Sequence, residues 1–504
     1  MNKNLTIKEL ADLFNVRTQD NATITSISYN SQEIKQGDIF ICLIGEKTDG
    51  HNFIKEAEEK GAVAILAQNK IDTKLPVIYV KDTQIAIAEL ANLFYKEPSK
   101  KLRIVGVTGT NGKTTTTHLI QHIFENNRLQ TAIIGTLGTR ETSISSYYDA
   151  KHTTPQAPDL QKQLAALVNK GFTHLAMEVS SHALSLHRVD KCSFTGAVLT
   201  NITQDHLDFH LTMDEYWKAK RKLFEMLNSS SHKNKYVVLN KDDDLYNEFA
   251  KAIDKNTVKV LSYGINNTAD FQAKDITFES SGISFILSSP SGNHKITSKL
   301  NGMFNVYNIL ASITVSFAEG IETNTITRAI STANEVPGRF QIIQAKNGSP
   351  IPLCIVDYAH TPDGLENILK AARLITEKRN NQNKKSRLLC MFGCGGDRDP
   401  TKRPKMGKIA EQYSDIVVVT SDNPRSEDPK QIISDILSGI NNTSNIIVEP
   451  DRGSAIQTTI SKANENDVIV FAGKGHEDYQ ILKDKTIHFD DREEIKKILE
   501  TIHI

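Results

Sequence analysis

The sequence predicts a three-domain α/β protein, and three observations carry that reading. Its 504 residues divide into three units at about 150 residues per domain. Short apolar runs that read as strands alternate with amphipathic helical patterns, the order expected of parallel sheets covered by helices. Strand after strand also ends in a polar, glycine-rich or charged loop: GVTGTNGKTT, MEVSSH, LTNITQDH, VDYAHTPD, FGCGGDRD, VTSDNPRSED and FAGKGHED. Open parallel sheets bind ligands outside the carboxyl ends of their strands. Exposure alone makes loops polar, but seven such loops in one chain mark those ends as functional.

In residues 1–100, SISYNS, DIFICLIG, AVAILAQ and PVIYV read as strands, and IKELADLF and QIAIAELANLFYK as amphipathic helices. The segment YKEPSKKLR, with a proline and a charge cluster, reads as a linker. Residues 101–335 open with the buried-strand pattern RIVGVTG and contain THLAMEVS, GAVLTNI and YVVLN. This central unit reads as a parallel sheet, with a β-hairpin excursion near 264–300, where SSPSGNHK is rich in turn residues. Residues 336–504 contain PLCIVDYAH, RLLCMFGCGGD, DIVVVTSDN and DVIVFAGKGHE separated by helical patterns, which predicts a smaller doubly wound domain.

Sixty basic and sixty acidic residues cancel, which argues against a general nucleic-acid or membrane-surface binder. Five scattered cysteines, Cys42, Cys192, Cys354, Cys390 and Cys394, suit a reducing compartment. Cys390 and Cys394 lack the second Cys or His pair of a zinc site. MNKNLTIKELADLF has no apolar core of signal-peptide length, and no run approaches the ~20 apolar residues of a membrane span. A cytoplasmic protein without membrane insertion, acting as a monomer, is expected.

The strongest local signal is Gly109-Thr110-Asn111-Gly112-Lys113-Thr114-Thr115, which follows a strand and precedes a helical pattern. Glycines let backbone N–H groups close around phosphate oxygens, a lysine neutralises the β/γ charge, and a threonine hydroxyl holds Mg²⁺. Val107 stands six residues before Lys113, where the general phosphate-loop pattern has glycine; Gly106 is one place earlier. Asn240-Lys241-Asp242-Asp243 matches the Asn-Lys-x-Asp pattern by which GTPases read guanine, although a charged turn after a strand gives the same letters. Glu178 ends the strand THLAMEV, where a carboxylate reaches a metal ion or orders its water. His206 and His210 have the i, i+4 spacing of zinc proteases, but Leu207 occupies the position of the catalytic glutamate. Mg²⁺-linked phosphate chemistry suits His206 better, and His210 reads equally well as a structural hydrogen-bonder.

GTNGKTTT, HTTPQ, MEVSSHALSLHR, TNITQDHLDFH, YWKAKRKLF, NGMFNVYN, PGRFQ, DYAHTPD, GCGGDRDPTKRP, DNPR and GKGHEDYQ occur in this order. Together they resemble the Mur ligase family, and within it the enzymes that add 2,6-diaminopimelate to the peptidoglycan precursor. The resemblance implies a UDP-substrate-binding domain over 1–100, a phosphate-loop ATPase domain over 101–335 and an amino-acid-binding Rossmann-like domain over 336–504. It also implies ATP and Mg²⁺ as cofactors, with activation of a carboxylate as an acyl-phosphate and attack by an amine. Gly109 to Thr115 then form the triphosphate cradle with Lys113 at its centre, and Thr114, Glu178 and His206 are Mg²⁺ ligands. Lys220 matches the lysine that the family converts to N6-carboxylysine, an anionic metal ligand; from its pattern alone it is one charge on a solvated helix. Asn305, Arg339 and Asp357 match adenosine-binding positions, with His360 in the same loop.

For the UDP-muramoyl dipeptide, the resemblance implies contacts from His152, Thr153, Thr154, Ser180 and Arg188. Leu186 replaces a glutamine frequent in the family, and Asn30-Ser31-Gln32 replaces an Asp-Ser-Arg uridine motif, so only Ser31 carries over there. Glu46, Lys47 and Thr48 align with a second uridine-contacting turn. Asp422-Asn423-Pro424-Arg425 matches the signature for meso-diaminopimelate. That amino acid is lysine with an additional far carboxylate, which a buried guanidinium can clamp with two hydrogen bonds. Lysine would leave Arg425 unpaired. Arg398 is expected to bind a carboxylate, and Gly473 and Glu477 the far ammonium. The rival readings are a lysine-adding or other ligase of the superfamily such as a folylpolyglutamate synthase, a nucleotide-switch GTPase using Asn240–Asp243, and a non-catalytic scaffold.

Overall fold

The computed structural model describes residues 5–45, 48–148, 152–279, 282–343, 351–380 and 385–501. Three sheets follow one another along the chain. The first holds β1 (Ser26–Ser28), β2 (Asp38–Ile41), β3 (Ala64–Ala67) and β4 (Val77–Tyr79), all parallel and in that order. The runs DIFI and AILA are buried throughout, as strands covered on both faces require. Thr6 and Glu9 form a capping box on helix Ile7–Leu13, and Asp82 accepts the amides of Gln84 and Ile85 at the start of helix Thr83–Phe94. The expected linker YKEPSKKLR is a packed joint instead. Pro98 opens a 3₁₀ turn over Pro98–Lys101, Pro98 and Ser99 are buried, and Ser193 N–H donates to Ser99 Oγ at 3.0 Å.

The central sheet has ten strands: β5 (Arg103–Thr108), β6 (Thr131–Gly135), β7 (Gly138–Arg140), β8 (His174–Glu178), β9 (Gly196–Leu199), β10 (Lys235–Asn240), β11 (Val258–Gly264), β12 (Phe271–Glu279), β13 (Gly282–Ser289) and β14 (Gly292–Ser298). Their order is 14-13-12-11-10-9-5-8-6-7. The sheet is mixed and not wholly parallel: β12 to β6 run parallel, while β7, β13 and β14 are antiparallel to their neighbours. The expected hairpin near 264–300 is a three-stranded meander, β12–β13–β14. Ile283, Phe285 and Leu287 alternate into the core, and helix Thr323–Thr332 covers β14. In the centre β5 lies between β8 and β9, with Val107 opposite Glu178 and Thr108 opposite Leu199. That register brings three strand ends to one point.

The third sheet holds β15 (Gln341–Ile343), β16 (Leu353–Asp357), β17 (Leu388–Phe392), β18 (Ile416–Val419), β19 (Ile446–Val448) and β20 (Val468–Ala472) in the order 15-16-20-17-18-19. All but β15 are parallel. Alternate residues of its strands enter two separate cores, Ile355, Cys390 and Val470 on one face and Cys354, Leu389 and Ile469 on the other, which is the doubly wound arrangement. β20 inserts between β16 and β17 and creates a topological switch point there. A hairpin, β21 (Tyr479–Ile481) and β22 (Thr486–His488), follows. The five cysteines are buried and unpaired. Among the described residues no helix is long and apolar enough to cross a membrane.

Candidate active site

The glycine-rich loop turns from β5 into helix Lys113–Asn126. Gly112 caps that helix at φ +86°, and a Cβ there would stand 2.3 Å from Asn308 Oδ1, so only glycine fits. Lys113 Nζ folds back to donate to the carbonyls of Gly109 (2.9 Å) and Thr110 (2.8 Å). Lys220 Nζ donates to the same Gly109 oxygen at 2.9 Å from helix Met213–Ser229. Lys220 is fully buried, and its ammonium lies 4.6 Å from the centre of the Tyr216 ring. Burial and the neighbouring Lys113 charge drive its pKa well below the usual lysine range.

Thr114 Oγ1 donates to Glu178 Oε2 at 3.1 Å. Thr136 completes the carboxylate's shell, its N–H on Oε1 at 2.9 Å and its hydroxyl on Oε2 at 3.0 Å. His206 has left-handed backbone (φ +54°) and packs edge-on against His182 at 4.6 Å. Asp205 accepts the His206 N–H at 2.9 Å, with its other oxygen 3.2 Å from Nε2. Burial drives the His206 pKa well below its ordinary value. Burial opposes ionisation of Asp205, but the charges of His206, His360, Lys402 and Lys113 outweigh it and hold that carboxyl low. His210 is buried among His182, Phe209 and Tyr216, and its Nε2 has no hydrogen-bond partner among the described residues.

Residues from beyond the central sheet close over this loop. Arg339 Nη2 donates to Thr114 Oγ1 at 3.0 Å, and its guanidinium stacks over Tyr358 at 4.5 Å. Asp357 Oδ2 accepts the Phe340 N–H at 2.6 Å, and burial pushes its pKa up to about 6. His360 is anchored through Nδ1 to the Tyr358 carbonyl at 2.8 Å, and burial lowers its pKa to about 4. A cavity of about 340 Å³ results, lined by Thr110 to Thr115, Glu178, His206 and Lys220 on one side and by Arg339, Asp357 and His360 on the other. Asn305 stands behind that wall and accepts from Asn308 Nδ2 at 3.0 Å. Asn308 itself lines the cavity, as does Asp363, which accepts from Asn111 Nδ2 at 2.7 Å. Sequence reasoning missed both, and also Thr136 and Asp205. Asn308 stands one turn after Asn305 in NGMFNVYN, and Asp363 and Asp205 lie inside loops already singled out; nothing local marks Thr136.

Thr153 pairs with Thr136 at 3.1 Å, and Thr154 donates to the Glu178 carbonyl at 2.9 Å. Ser180 caps helix Ser181–Ser185. Arg188 is buried and donates to the Thr154 carbonyl at 3.2 Å, and its Nε has no hydrogen-bond partner among the described residues. His152 is exposed. Of these, Thr153 and Ser180 line the cavity together with Glu178, and the first domain meets the central one through Tyr29 OH donating to Asp159 at 2.6 Å. Ser31 is buried and donates to Glu56 at 2.6 Å, and Thr48 is exposed, its carbonyl accepting from Gly45 N–H. Glu46 and Lys47 lie outside the described residues.

A second cluster forms at the carboxyl ends of β17, β18 and β20. Asp422, Asn423 and Pro424 are buried. The buried guanidinium expected at Arg425 is half-buried instead, on a residue with left-handed backbone at φ +53°. Its N–H donates to the Ile481 carbonyl at 3.1 Å and Nη1 to the Gly396 carbonyl at 2.7 Å, which leaves the other edge of the fork open among the described residues. Arg398 is exposed, and its side chain flanks Gly395 together with Arg425. Glu477 accepts from Asn423 Nδ2 at 2.9 Å and from Lys474 Nζ at 3.3 Å, and burial beside Asp422 raises its pKa. Gly473 approaches Asp422 closely.

The guanine pattern is used differently. Asp242 accepts the backbone amides of Ile265, Asn266 and Asn267 and the Tyr307 hydroxyl, and Asn240 donates to the Thr200 carbonyl. These side chains are spent on holding turns, and base recognition would break those bonds.

Three family models match in chain order: Mur ligase family, catalytic domain over 23–95, Mur ligase middle domain over 107–316, and Mur ligase, glutamate ligase domain over 338–475. The UDP-N-acetylmuramoyl-L-alanyl-D-glutamate–2,6-diaminopimelate ligase of Bacillus cereus is 43% identical over 488 residues, covering 96% of each chain. The ligase of the same name from Syntrophomonas wolfei is 45% identical over 480 residues, covering 94% of each. A solved structure bearing that name superposes with a TM-score of 0.67 at 32% identity, covering 99% of each chain. With the three domains, the glycine-rich loop and the strand-end clusters in place, the chain belongs to the Mur ligase family.

Proposed function

We propose that this chain joins meso-2,6-diaminopimelate to the D-glutamate γ-carboxylate of UDP-N-acetylmuramoyl-L-alanyl-D-glutamate, using ATP and Mg²⁺, in cytoplasmic peptidoglycan precursor synthesis. Residues 1–100 bind the UDP end, 101–335 bind ATP and 336–504 present the amino acid. The observation that carries this reading is one cavity in which the glycine-rich loop, Glu178, His206 and Lys220 meet Arg339, Asp357 and His360 from beyond the central sheet.

Each side chain has a task the geometry supports. Lys113 leaves its two carbonyl partners for phosphate oxygens, and the helix behind it adds its amino-terminal dipole. Arg339, already on Thr114, reaches the same phosphates. Asp357 accepts from ribose hydroxyls, Asn305 acts by fixing Asn308, and His360 packs near the nucleotide. The Thr114 hydroxyl and Glu178 carboxylate are hard oxygen donors 3.1 Å apart. With His206 lining the same cavity, these oxygen donors fit Mg²⁺, which needs few protein ligands because it keeps water and phosphate among its own. When bound, Mg²⁺ neutralises charge on the transferring phosphoryl group. Lys220, buried and driven toward its neutral amine, is suited to take up CO₂; a carbamate N–C bond forms and one proton is released.

In the first step a γ-carboxylate oxygen displaces ADP at the γ-phosphorus and gives an acyl-phosphate. The diaminopimelate amine then attacks that carbonyl, and phosphate leaves as the amide forms. Most of the acceleration comes from positioning and charge neutralisation. Thr153, Thr154, Ser180 and Arg188 orient the dipeptide at the Glu178 end. Arg425 and Arg398 meet the far carboxylate of diaminopimelate, while Glu477 and the Gly473 turn receive its ammonium. The test is product analysis by mass spectrometry after incubation with ATP, Mg²⁺, the UDP-muramoyl dipeptide and diaminopimelate. The expected result is one tripeptide product per ADP. ADP without that product, or neither, overturns the proposal.

A further inference from the structure

Behind the amino-acid cluster lies an ion pair that the proposed chemistry does not use. Arg452 opens helix Arg452–Lys462 and Asp491 opens helix Asp491–Thr501, and both side chains are 0% exposed. The pairing is bidentate: Nε donates to Asp491 Oδ1 at 2.8 Å and Nη2 to Oδ2 at 2.6 Å. The guanidinium has further contacts. Nη1 donates to the Ser421 carbonyl at 3.3 Å, and Nη2 also to the Ala472 carbonyl at 3.1 Å.

Those two carbonyls matter for where they stand. Ser421 immediately precedes Asp422-Asn423-Pro424-Arg425, and Ala472, the last residue of β20, immediately precedes Gly473. β18 and β20 are not neighbours, because β17 lies between them. One planar fork therefore spans β17 and ties together the roots of the two loops. The loops it ties are closely interlocked. Asp422 Oδ2 stands 3.2 Å from where a Gly473 Cβ would be, and Lys474 Nζ lies 3.5 Å from Asp422 Oδ1. Asp422 Oδ1 is buried, and among the described residues its polar contact is that ion pair with Lys474, which ties the two loops to each other directly.

We infer that Arg452, held by Asp491, is a positioning residue that sets the distance between the Asp422–Arg425 loop and the Gly473–Glu477 loop, and thereby the preference for diaminopimelate over lysine. The inference rests on the function proposed above. Diaminopimelate must be met at a carboxylate and an ammonium at once, by groups on different loops. Lysine engages only the ammonium side, so a change in loop spacing penalises diaminopimelate more. A guanidinium is suited to this brace because its five donors are fixed in one plane, whereas an ammonium cannot hold a carboxylate and two separated carbonyls with the same geometry.

The test compares wild type with Arg452→Lys and Asp491→Asn, measuring kcat/KM for diaminopimelate and for lysine, KM for ATP, and thermal stability. Both variants are expected to raise the diaminopimelate KM about tenfold or more, a loosening short of the full ångström of misplacement that costs about 10²-fold. They should narrow the diaminopimelate-to-lysine ratio by a similar factor and keep the ATP KM within about twofold of wild type. A brace with only a structural role lowers stability without moving that ratio. An unchanged ratio, or all KM values rising together, overturns the inference. Asp491→Asn keeps the side-chain shape and one acceptor, and it decides the question where Arg452→Lys does not yield folded protein. A wild type without preference for diaminopimelate would instead overturn the proposed function itself.

Discussion

Gly135→Ala should disable the site by moving a single carboxylate. Gly135 ends β6, is buried, and lies outside the left-handed region, so the backbone accepts alanine. The obstacle is Glu178: a Cβ at Gly135 would stand 2.3 Å from Oε1, 2.8 Å from Cδ and 2.9 Å from Cγ. Carbon and oxygen in contact keep about 3.3 Å apart, so the carboxylate must retreat by about 1 Å. It is held in place by Thr114 Oγ1, Thr136 Oγ1 and Thr136 N–H, and each bond to a charged group contributes about 1.5–3 kcal/mol. A shift of that size at a catalytic group costs about 10²-fold in rate, or about 2.7 kcal/mol of barrier. Overpacking costs about 1–3 kcal/mol of stability. The assay is kcat as a function of Mg²⁺ concentration, together with thermal melting. In a Glu178→Ala background the clashing atoms are gone, so Gly135→Ala should then leave stability unchanged. A kcat within twofold of wild type, or an equal stability loss in both backgrounds, would refute the reasoning.

Two other predictions concern titratable groups. Burial raises the Asp357 pKa from 3.8 to about 6, so its contribution to stability is fully present below the lower value and is lost as pH rises through the higher one. Relative to Asp357→Asn, wild type should lose thermal stability across that window, and parallel melting profiles would contradict the assignment. Lys220 as a carbamate makes activity depend on CO₂: depletion should slow the enzyme by about 10²-fold, the scale of losing one charge-stabilising group, and bicarbonate should restore it. A ¹³C carbamate signal should accompany the active form and be missing from Lys220→Ala, whereas full activity without CO₂ and without that signal would exclude the modification.

Much of the fold was legible because local patterns determine it. Apolar runs such as RIVGVT, DIFI and VIVFA became strands, and the glycine-rich loop lies between a strand and a helix as its letters require. The neighbours of each strand were not legible: β20 inserts between β16 and β17, over a hundred residues earlier in the chain for β16, and no local signal encodes that pairing. The meander of β12 to β14 was reduced to a hairpin because its polar outer face hides the alternation of Ile283, Phe285 and Leu287. In the candidate site, residues in dense motifs were visible, while those recruited across the fold were not. Thr136 orients Glu178 from 42 positions away, and Arg452 meets Asp491 at a separation of 39. Asn240–Asp243 shows the converse: four letters suggested a base-reading site, but Asn240 holds the Thr200 carbonyl, Asp242 and Asp243 accept turn amides and Lys241 lies over the Tyr246 ring.

The most direct test of the central claim is phosphate release from ATP with Mg²⁺ and the UDP-muramoyl dipeptide, with diaminopimelate or L-lysine in parallel, for wild type and Arg425→Met. The half-buried Arg425 has one edge anchored on the Gly396 carbonyl and the other open among the described residues. Losing two charge-assisted bonds there is worth about 10²-fold after solvent screening. Wild type should therefore favour diaminopimelate by about 10²-fold or more in kcat/KM, and Arg425→Met should remove most of that margin. Equal turnover of the two amino acids, or a preference for lysine, would contradict the account.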